Sequence, residues 1–583
     1  MANLSQQKRE RMLEFLNQLK SEHTDDASLI ALNEIENALI SKKYGLVWEQ
    51  HEEQVDVMMR DNVPVFTEVP EKEIKGDPDS EQYNFLLEGD NLHSLKLLEK
   101  THRGRIDVIY IDPPYNTGNK DFIYDDTFID ADDSYKHSKW LSFMAERLSI
   151  LKNLLSKTGL IFISIGEQEL SSLKLLCDEI FGERNYITIF SRQMKSGGAK
   201  GKYYTPNIDY VLTYSKNIDE LPNFKAILTQ KQIDTFYNKT ETEGTRKGEL
   251  YGEERLFKAS LEARPNQRYY IQCPDGSFAI PPGETFPEKL EDGCAVLPKS
   301  TDKVWKWIYS RYQKELAQGN IIFKKTKTSG LIDENGNQSK WNIYNKLWLS
   351  EQQEKGVVPS NFIQEYENRQ SAAEMKNLGL NFTYAKPVDL IKYLITIANQ
   401  RDDILILDCF AGSGTTGQAV LELNAEDKGD RHFILCTNNE NNICEEVTYP
   451  RLKIISEGYR DRKKKVKPAL EFNLKYYKTD FIPKVSDKED YSVTDELLKH
   501  IKEMIQLENG INVDGENYLI ILTDDDADEL EKHPNIVEKC KGIYISNDVF
   551  LTSSQEKIFS GVCLKQIPDY YFEDELREVH EIW

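Results

Sequence analysis

Apolar residues in this chain follow two periodicities. Near the start they recur at helical spacing: Met12, Phe15, Leu16 and Leu19, then Leu29, Leu32, Ile35 and Leu39, predict two amphipathic helices. Two such helices with no strand beside them suggest a docking or dimerisation hairpin. A polar stretch bearing Pro, Gly and Asp over 71–81 reads as a linker. From Phe85 onward, short apolar runs end in turn residues and are followed by helical spacing. Strands are predicted at 85–88, 107–111, 160–165, 209–214, 404–407 and 432–437, with helices over 91–100, 135–155, 170–181, 387–399 and 416–423. Continuous apolar strands alternating with helices predict an α/β fold with a doubly wound, mostly parallel sheet.

The alternation breaks between about 217 and 370, where Asn, Gln, Lys, Trp and Tyr are frequent and Tyr269-Tyr270-Ile271-Gln272-Cys273 turns at Pro274-Asp275-Gly276. This segment reads as an insertion with its own small core. The expected division is therefore an N-terminal helical or dimerisation segment (1–70), one half of the sheet (71–216), the insertion (217–370), the other half (371–470) and a C-terminal α/β domain suited to binding a partner (471–583).

Composition narrows the class. A chain of 583 residues exceeds a single core, and 39% hydrophobic content with 10% aromatics is globular. No apolar stretch approaches the ~20 residues that span a bilayer. The first residues do not read as a secretory signal. Eight cysteines without C-x-x-C spacing suggest reduced thiols in a cytoplasm and argue against a structural metal site. The net charge of −24 argues mildly against a polyanionic partner, yet cations cluster locally. One group is Arg192, Lys195, Lys200 and Lys202, a second is Lys324, Lys325 and Lys327, and a third is Arg460, Arg462, Lys463, Lys464, Lys465 and Lys467. Acid concentrates at 524–529. A channel for a polyanion and a protein-binding tail would suit that asymmetry, although such runs are more often solvated faces.

Two signatures carry the candidate chemistry, each directly after a predicted strand: Asp112-Pro113-Pro114-Tyr115, and Asp408-Cys409-Phe410-Ala411-Gly412-Ser413-Gly414-Thr415-Thr416. In doubly wound sheets, ligands bind beyond the carboxyl ends of strands, so both should open into one crevice. Gly412 and Gly414 would let backbone N–H groups approach a ligand, with Ala411, Ser413 and Thr415 completing the turn. Asp408 could accept from an α-amino group, and Phe410 flanks it. No Lys follows the glycines as in a phosphate-binding loop, so a cationic amino-acid-like cofactor such as S-adenosylmethionine fits better than a triphosphate. Glu440 could hold ribose hydroxyls and Asp90 an adenine amine; the alternative for each is a turn residue or helix cap. Upstream, two prolines fix the backbone so that the Asp112 carboxylate and the Pro113 carbonyl can aim at one point. Two acceptors there would localise the lone pair of an exocyclic base amine, and Tyr115 offers a face for a base rotated out of a duplex. No metal is required.

These residues resemble a known family. D-P-P-Y at 112–115 preceding F-A-G-S-G-T at 410–415 is similar to the β group of amino-DNA methyltransferases, with a circularly permuted order. G-D-N-L-H-S-L-K at 89–96, I-D-P-P-Y-N-T-G-N at 111–119, H-S-K-W-L-S-F-M at 137–144 and C-E-E-V-T-Y-P-R at 444–451 resemble the modification (Mod) subunit of type III restriction–modification systems. The resemblance implies methylation of adenine N6 in double-stranded DNA from S-adenosylmethionine, with 217–370 as target-recognition domain. It implies a homodimer and a separate restriction subunit with ATPase and nuclease activities. Asp112, Pro113, Pro114 and Tyr115 would be catalytic; Asp408, Phe410, Gly412 and Gly414 would bind cofactor; Phe382, Lys386 and Pro387 would close over its methionine end. Many relatives carry an acid at the tip of the strand after the glycine turn, where this chain has Thr437-Asn438-Asn439-Glu440, which weakens the Glu440 assignment. Rival readings are a cytosine-N4 or solitary methyltransferase, and a DNA-recognition scaffold for a nuclease.

Overall fold

The computed structural model describes residues 4–23, 25–40, 48–124, 127–130, 133–197, 203–226, 228, 230–398, 401–486 and 491–581. Lys200 and Lys202 lie outside these. The chain forms two compact units, one of Met1–Pro222 with Ser360–Trp583, the other of Asn223–Pro359.

The larger unit is built on an eleven-stranded sheet. Its strands are β1 (Asn62–Glu68), β2 (Asn84–Glu88), β3 (Ile106–Ile111), β4 (Leu155–Ile165), β5 (Tyr186–Gln193), β6 (Ile208–Ser215), β7 (Phe362–Ile363), β8 (Leu405–Asp408), β9 (His432–Thr437) and β10 (Asn473–Pro483), in the order β1-β10-β2-β9-β8-β3-β4-β6-β5-β7. The short strand Ile74–Lys75 pairs with β10, so the stretch read as a linker is partly sheet. From β10 through β4 every pairing is parallel, whereas β6 runs antiparallel to β4 and β5, and β1 antiparallel to β10. Apolar composition explains the parallel centre: every residue of β2 and β3 is buried, as sheets covered on both faces require.

The strand order carries a consequence for the site. Strands β8 and β9, from late in the chain, are inserted between β2 and β3 from its first third. The parallel register Ile406↔Val108 and Leu407↔Ile109 then sets the carboxyl ends of β3 and β8 side by side. Helices α3 (Asn91–His102), α4 (Lys136–Leu154) and α5 (Leu170–Cys177) follow β2, β3 and β4, while α6 (Asn368–Leu378), α7 (Val388–Ala398), α8 (Thr415–Asp427) and α9 (Tyr449–Glu457) belong to the later half. One apolar core joins Leu87, Leu95, Ile109, Trp140, Leu151 and Ile163 to Tyr477, Leu497, Ile505 and Tyr571, so part of the C-terminal region packs into the same body as the sheet. A three-stranded parallel sheet of Tyr518–Ile521, Gly542–Ile545 and Cys563–Gln566 has its own cluster around Ile521, Ile543 and Phe559.

Two N-terminal helices, α1 (Leu4–Glu22) and α2 (Asp26–Ile40), pair through Lys20 with Asn33 and Glu36. Leu16 is buried between them, while Phe15 and Ile30 remain exposed. The smaller unit is a four-stranded antiparallel sheet with a core of Leu256, Tyr269, Trp305, Tyr312 and Ile343. Its Ile271–Gln272 and Phe278–Ala279 strands turn at Gly276 (φ 85°), as the sequence predicts. Among the described residues no helix is long and apolar enough to cross a membrane. All eight cysteines are free, six of them buried.

Candidate active site

The segment after β3 is held from three sides. The indole Nε1 of Trp140 donates to the Pro114 carbonyl at 2.8 Å. Asn116 closes the turn in the left-handed region (φ 56°), and its Nδ2 donates to Glu169 Oε1 at 2.6 Å and to the Lys136 carbonyl at 3.2 Å. The same carboxylate oxygen lies 2.5 Å from His137 Nδ1, and Glu169 is fully buried. Asparagine tolerates this backbone because its short polar side chain can bond locally.

Held in this way, Asp112 makes a salt bridge through Oδ2 to the Lys386 ammonium, which also sits 5.1 Å from the centre of the Tyr115 ring. Asp112 Oδ1 and the Tyr115 hydroxyl are buried with no hydrogen-bond partner. Native proteins rarely leave buried polar atoms unpaired, so open acceptors here mark a place for an incoming group. Burial, with the Asp112 charge nearby, pushes the Tyr115 phenol far above its ordinary value, so it stays protonated.

Beside it, the glycine turn links β8 to α8. Gly412 (φ 49°) and Gly414 (φ 73°) occupy the left-handed region, where other residues are strained. A Cβ on Gly412 would lie 3.7 Å from the Phe382 ring, so bare backbone faces an aromatic side chain. Ala411 N–H donates to the Cys436 carbonyl at 3.0 Å, tying the turn to β9. Behind it, the fully buried Arg451 donates to Ser413 O (3.1 Å), Ser413 Oγ (3.0 Å), Thr415 Oγ1 (2.9 Å) and Gln418 Oε1 (2.7 Å), and Thr448 Oγ1 donates to the Gly412 carbonyl. Arg451 and Thr448 fall in the 444–451 motif, whose task the sequence leaves open. Trp140 and His137 fall in the 137–144 motif in the same way, whereas Glu169 and Gln418 lie in no motif.

The acids behave differently from one another. Asp408 is buried, and both of its oxygens are engaged within the turn: Oδ1 accepts from Phe410 N–H at 3.0 Å and Oδ2 from the Thr416 hydroxyl. It shapes the turn from inside rather than presenting a carboxylate to an α-amino group. Asp90 caps α3 through Leu92 N–H (2.7 Å) and accepts from Arg147 (3.3 Å), a guanidinium also paired with Glu53. That is the helix-cap alternative, although the Asp90 side chain remains one-third exposed. Glu440 lies exposed just past β9, followed by Asn441 and Asn442 at positive φ. Pro387 is buried next to Lys386.

One cation in each of the first two basic groups is taken up by an acid. Arg192 is fully buried and bidentate to Asp209, with further bonds to the Tyr366 carbonyl and Asn368 at 3.0 Å each. Lys324 is paired with Glu253. Neither lines a channel as a free cation.

Burial pushes the Asp408 carboxyl up to about 7, reinforced by Asp112 and opposed by Thr416 and Phe410 N–H. A folded-state value raised above the unfolded one means the proton binds more tightly in the native chain. The resulting stabilisation is complete below about pH 4 and is lost as pH rises through about 7. Urea unfolding of the ligand-free chain is expected to show a stability component that declines from pH 5 to 8. Asp408→Asn should flatten it, and an unchanged profile in that variant would assign the decline to other groups.

The neighbouring carboxyl ends of β3 and β8 thus place a fastened glycine turn beside the open Asp112 acceptor. The family model described as DNA methylase (N6_N4 Mtase) matches residues 106–449, more than half of the chain, and the chain belongs to this family. It is similar to the type III restriction-modification enzyme StyLTI Mod subunit of Salmonella typhimurium LT2, 30% identical over 403 residues covering 64% of this chain and 56% of that protein. The EcoPI Mod subunit of Escherichia phage P1 is 29% identical over 405 residues, covering 61% and 58% respectively. The type II methyltransferase M.KpnI of Klebsiella pneumoniae is 29% identical over 395 residues, covering 65% and 88%. The chain thus spans little more than half the length of the two Mod subunits.

Proposed function

We propose that this chain transfers a methyl group from S-adenosylmethionine to the exocyclic N6 amine of an adenine turned out of double-stranded DNA, as the modification and DNA-recognition subunit of a type III restriction–modification system. The observation that carries the reading is the open acceptor Asp112 Oδ1 on the strand next to a glycine turn braced from behind. The residues present fit the cofactor. Bare backbone at Gly412 lies against the Phe382 ring, and the Phe410 ring lies 6.0 Å from that of Phe143. Phe382, Phe410, the 411–415 turn, Asp90, Glu440 and the Lys386-Pro387 segment would hold it. When bound, S-adenosylmethionine supplies an electrophilic methyl group on a sulfonium.

The chain's own residues account for the rest. An exocyclic amine is a weak nucleophile because its lone pair is delocalised into the ring. Asp112 Oδ1 and the Pro113 carbonyl accept its two hydrogens and draw the nitrogen toward tetrahedral geometry. Lys386 occupies Oδ2 and so fixes the carboxylate plane, leaving Oδ1 as the acceptor. Tyr115 stacks on the base, which must leave the duplex because its amine is otherwise paired. The unit at 223–359 serves as target-recognition domain. Exposed Phe15 and Ile30 on the N-terminal hairpin support a homodimer, and a restriction subunit would supply any ATP-driven cleavage in the cytoplasm.

A second reading, a solitary methyltransferase, is favoured by the match to most of M.KpnI. Incubating the purified chain with duplex DNA and S-adenosylmethionine, then analysing nucleosides by mass spectrometry, tests the reaction. N6-methyladenine is expected. N4-methylcytosine would move the assignment to cytosine, and no methylated base would reject it in favour of a recognition scaffold.

A further inference from the structure

The third basic group is the densest of the three, with six cations within residues 460–467. Tyr459–Arg460 and Val466–Lys467 form a two-stranded antiparallel hairpin that carries Arg460, Arg462, Lys463, Lys464, Lys465 and Lys467. The tip is closed by backbone bonds, Asp461 N–H to the Lys465 carbonyl (3.0 Å) and Lys464 N–H to the Asp461 carbonyl (2.8 Å). The only acid in it, Asp461, is used on Lys465 N–H at 2.8 Å. None of the six cations takes part in a salt bridge among the described residues, and all but Lys467 are exposed. In a chain of net charge −24, such a concentration without local neutralisation is out of keeping with the rest of the surface.

The hairpin is fixed to the site. It follows α9 directly, the helix whose Arg451 holds the glycine turn. Tyr459 donates to Glu374 at 2.7 Å and Arg462 Nε to the Lys376 carbonyl at 3.1 Å, both on α6, and α6 leads into the Phe382–Lys386 segment. Cofactor turn, closing segment and hairpin therefore share one framework.

We propose that the 459–467 hairpin is a phosphate clamp that grips the DNA backbone at a fixed position relative to Asp112; this rests on the DNA reading above. Phosphate contacts need only Lys and Arg and set the register of a protein on a duplex without reading bases. A protein partner would call for an apolar or aromatic centre, and lysine is depleted at such interfaces. Here Val466 is the only exposed large apolar residue.

The test is the salt dependence of DNA binding by the full chain, measured for the wild type, Lys463→Gln/Lys464→Gln/Lys465→Gln and the matching triple Lys→Arg variant. Each phosphate that is no longer neutralised makes the slope of log K against log salt shallower by about 0.9. The Gln triple should therefore be shallower by about 1–3 units and bind roughly ten-fold or more weakly at physiological salt. Its S-adenosylhomocysteine affinity and its kcat at saturating DNA should be unchanged, and the Arg triple should keep the wild-type slope. An unchanged slope in the Gln triple, while the wild type binds DNA, overturns the clamp alone. Loss of self-association in that triple with the DNA slope intact would transfer the hairpin to a protein contact. A wild type that binds no DNA at all would instead remove the functional reading beneath it.

Discussion

Asp112→Ala lowers single-turnover methyl transfer by about 10³-fold or more while S-adenosylhomocysteine and DNA still bind. The size follows from what is removed, a preorganised acceptor acting on the amine, a kind of contribution worth about 10²–10⁴ in rate. The loss should appear in kcat rather than in KM, because the interaction matures as the amine becomes tetrahedral. Alanine also strands the Lys386 ammonium, whose side chain is only 11% exposed and whose counter-ion is Asp112. Some loss of stability is therefore expected alongside the loss of rate. Asp112→Asn separates the two effects, since it keeps the shape and one neutral acceptor while removing the charge. It should lose less stability than the Ala variant, because its amide oxygen can still accept from Lys386, and still be severely slowed. Near-normal turnover in either variant would reject the assigned role.

Arg451→Met should weaken S-adenosylhomocysteine binding by about ten-fold or more, equivalent to ~1.4 kcal/mol, without touching any acceptor residue. Its guanidinium spans Ser413, Thr415 and Gln418 at once from a fully buried position. Burial pulls the Arg451 guanidinium down to about 10, which still leaves it charged at neutral pH. Removing it strands the Ser413 carbonyl and the Gln418 oxygen in the interior, at a cost on the order of 3 kcal/mol. Arg451→Lys should recover only part of either quantity, because a point ammonium cannot reproduce the planar fork. Calorimetric titration and urea unfolding measure the two effects. Wild-type values for both in the Met variant would mean the turn stands without its rear brace.

The class of fold and the two strand-end motifs were legible because local chemistry specifies them. Apolar runs such as 107–111 must be buried on both faces, and Pro113-Pro114 or Gly412 and Gly414 allow few backbone paths after them. What the sequence could not reveal was the pairing of side chains far apart in the chain. Lys386 reads as part of a cofactor-closing segment, yet it lies against Asp112. Asp408 sits where a carboxylate could face a ligand, but the direction of its oxygens depends on Thr416 and Phe410 N–H. Arg192 looks like a loop cation until Asp209 is found beside it. Strand β10 is similarly opaque: Asn473–Pro483 alternates too weakly to announce itself, and its place between β1 and β2 is fixed by register with segments some four hundred residues earlier.

The account depends on one crevice serving both motifs. A crystal structure of the chain with S-adenosylhomocysteine tests that most directly. The ligand should lie over the 411–414 turn beneath Phe382, with its sulfur facing Asp112 and Tyr115. A ligand seated away from Asp112, or a nucleotide phosphate taking the glycine turn in its stead, would contradict the central claim.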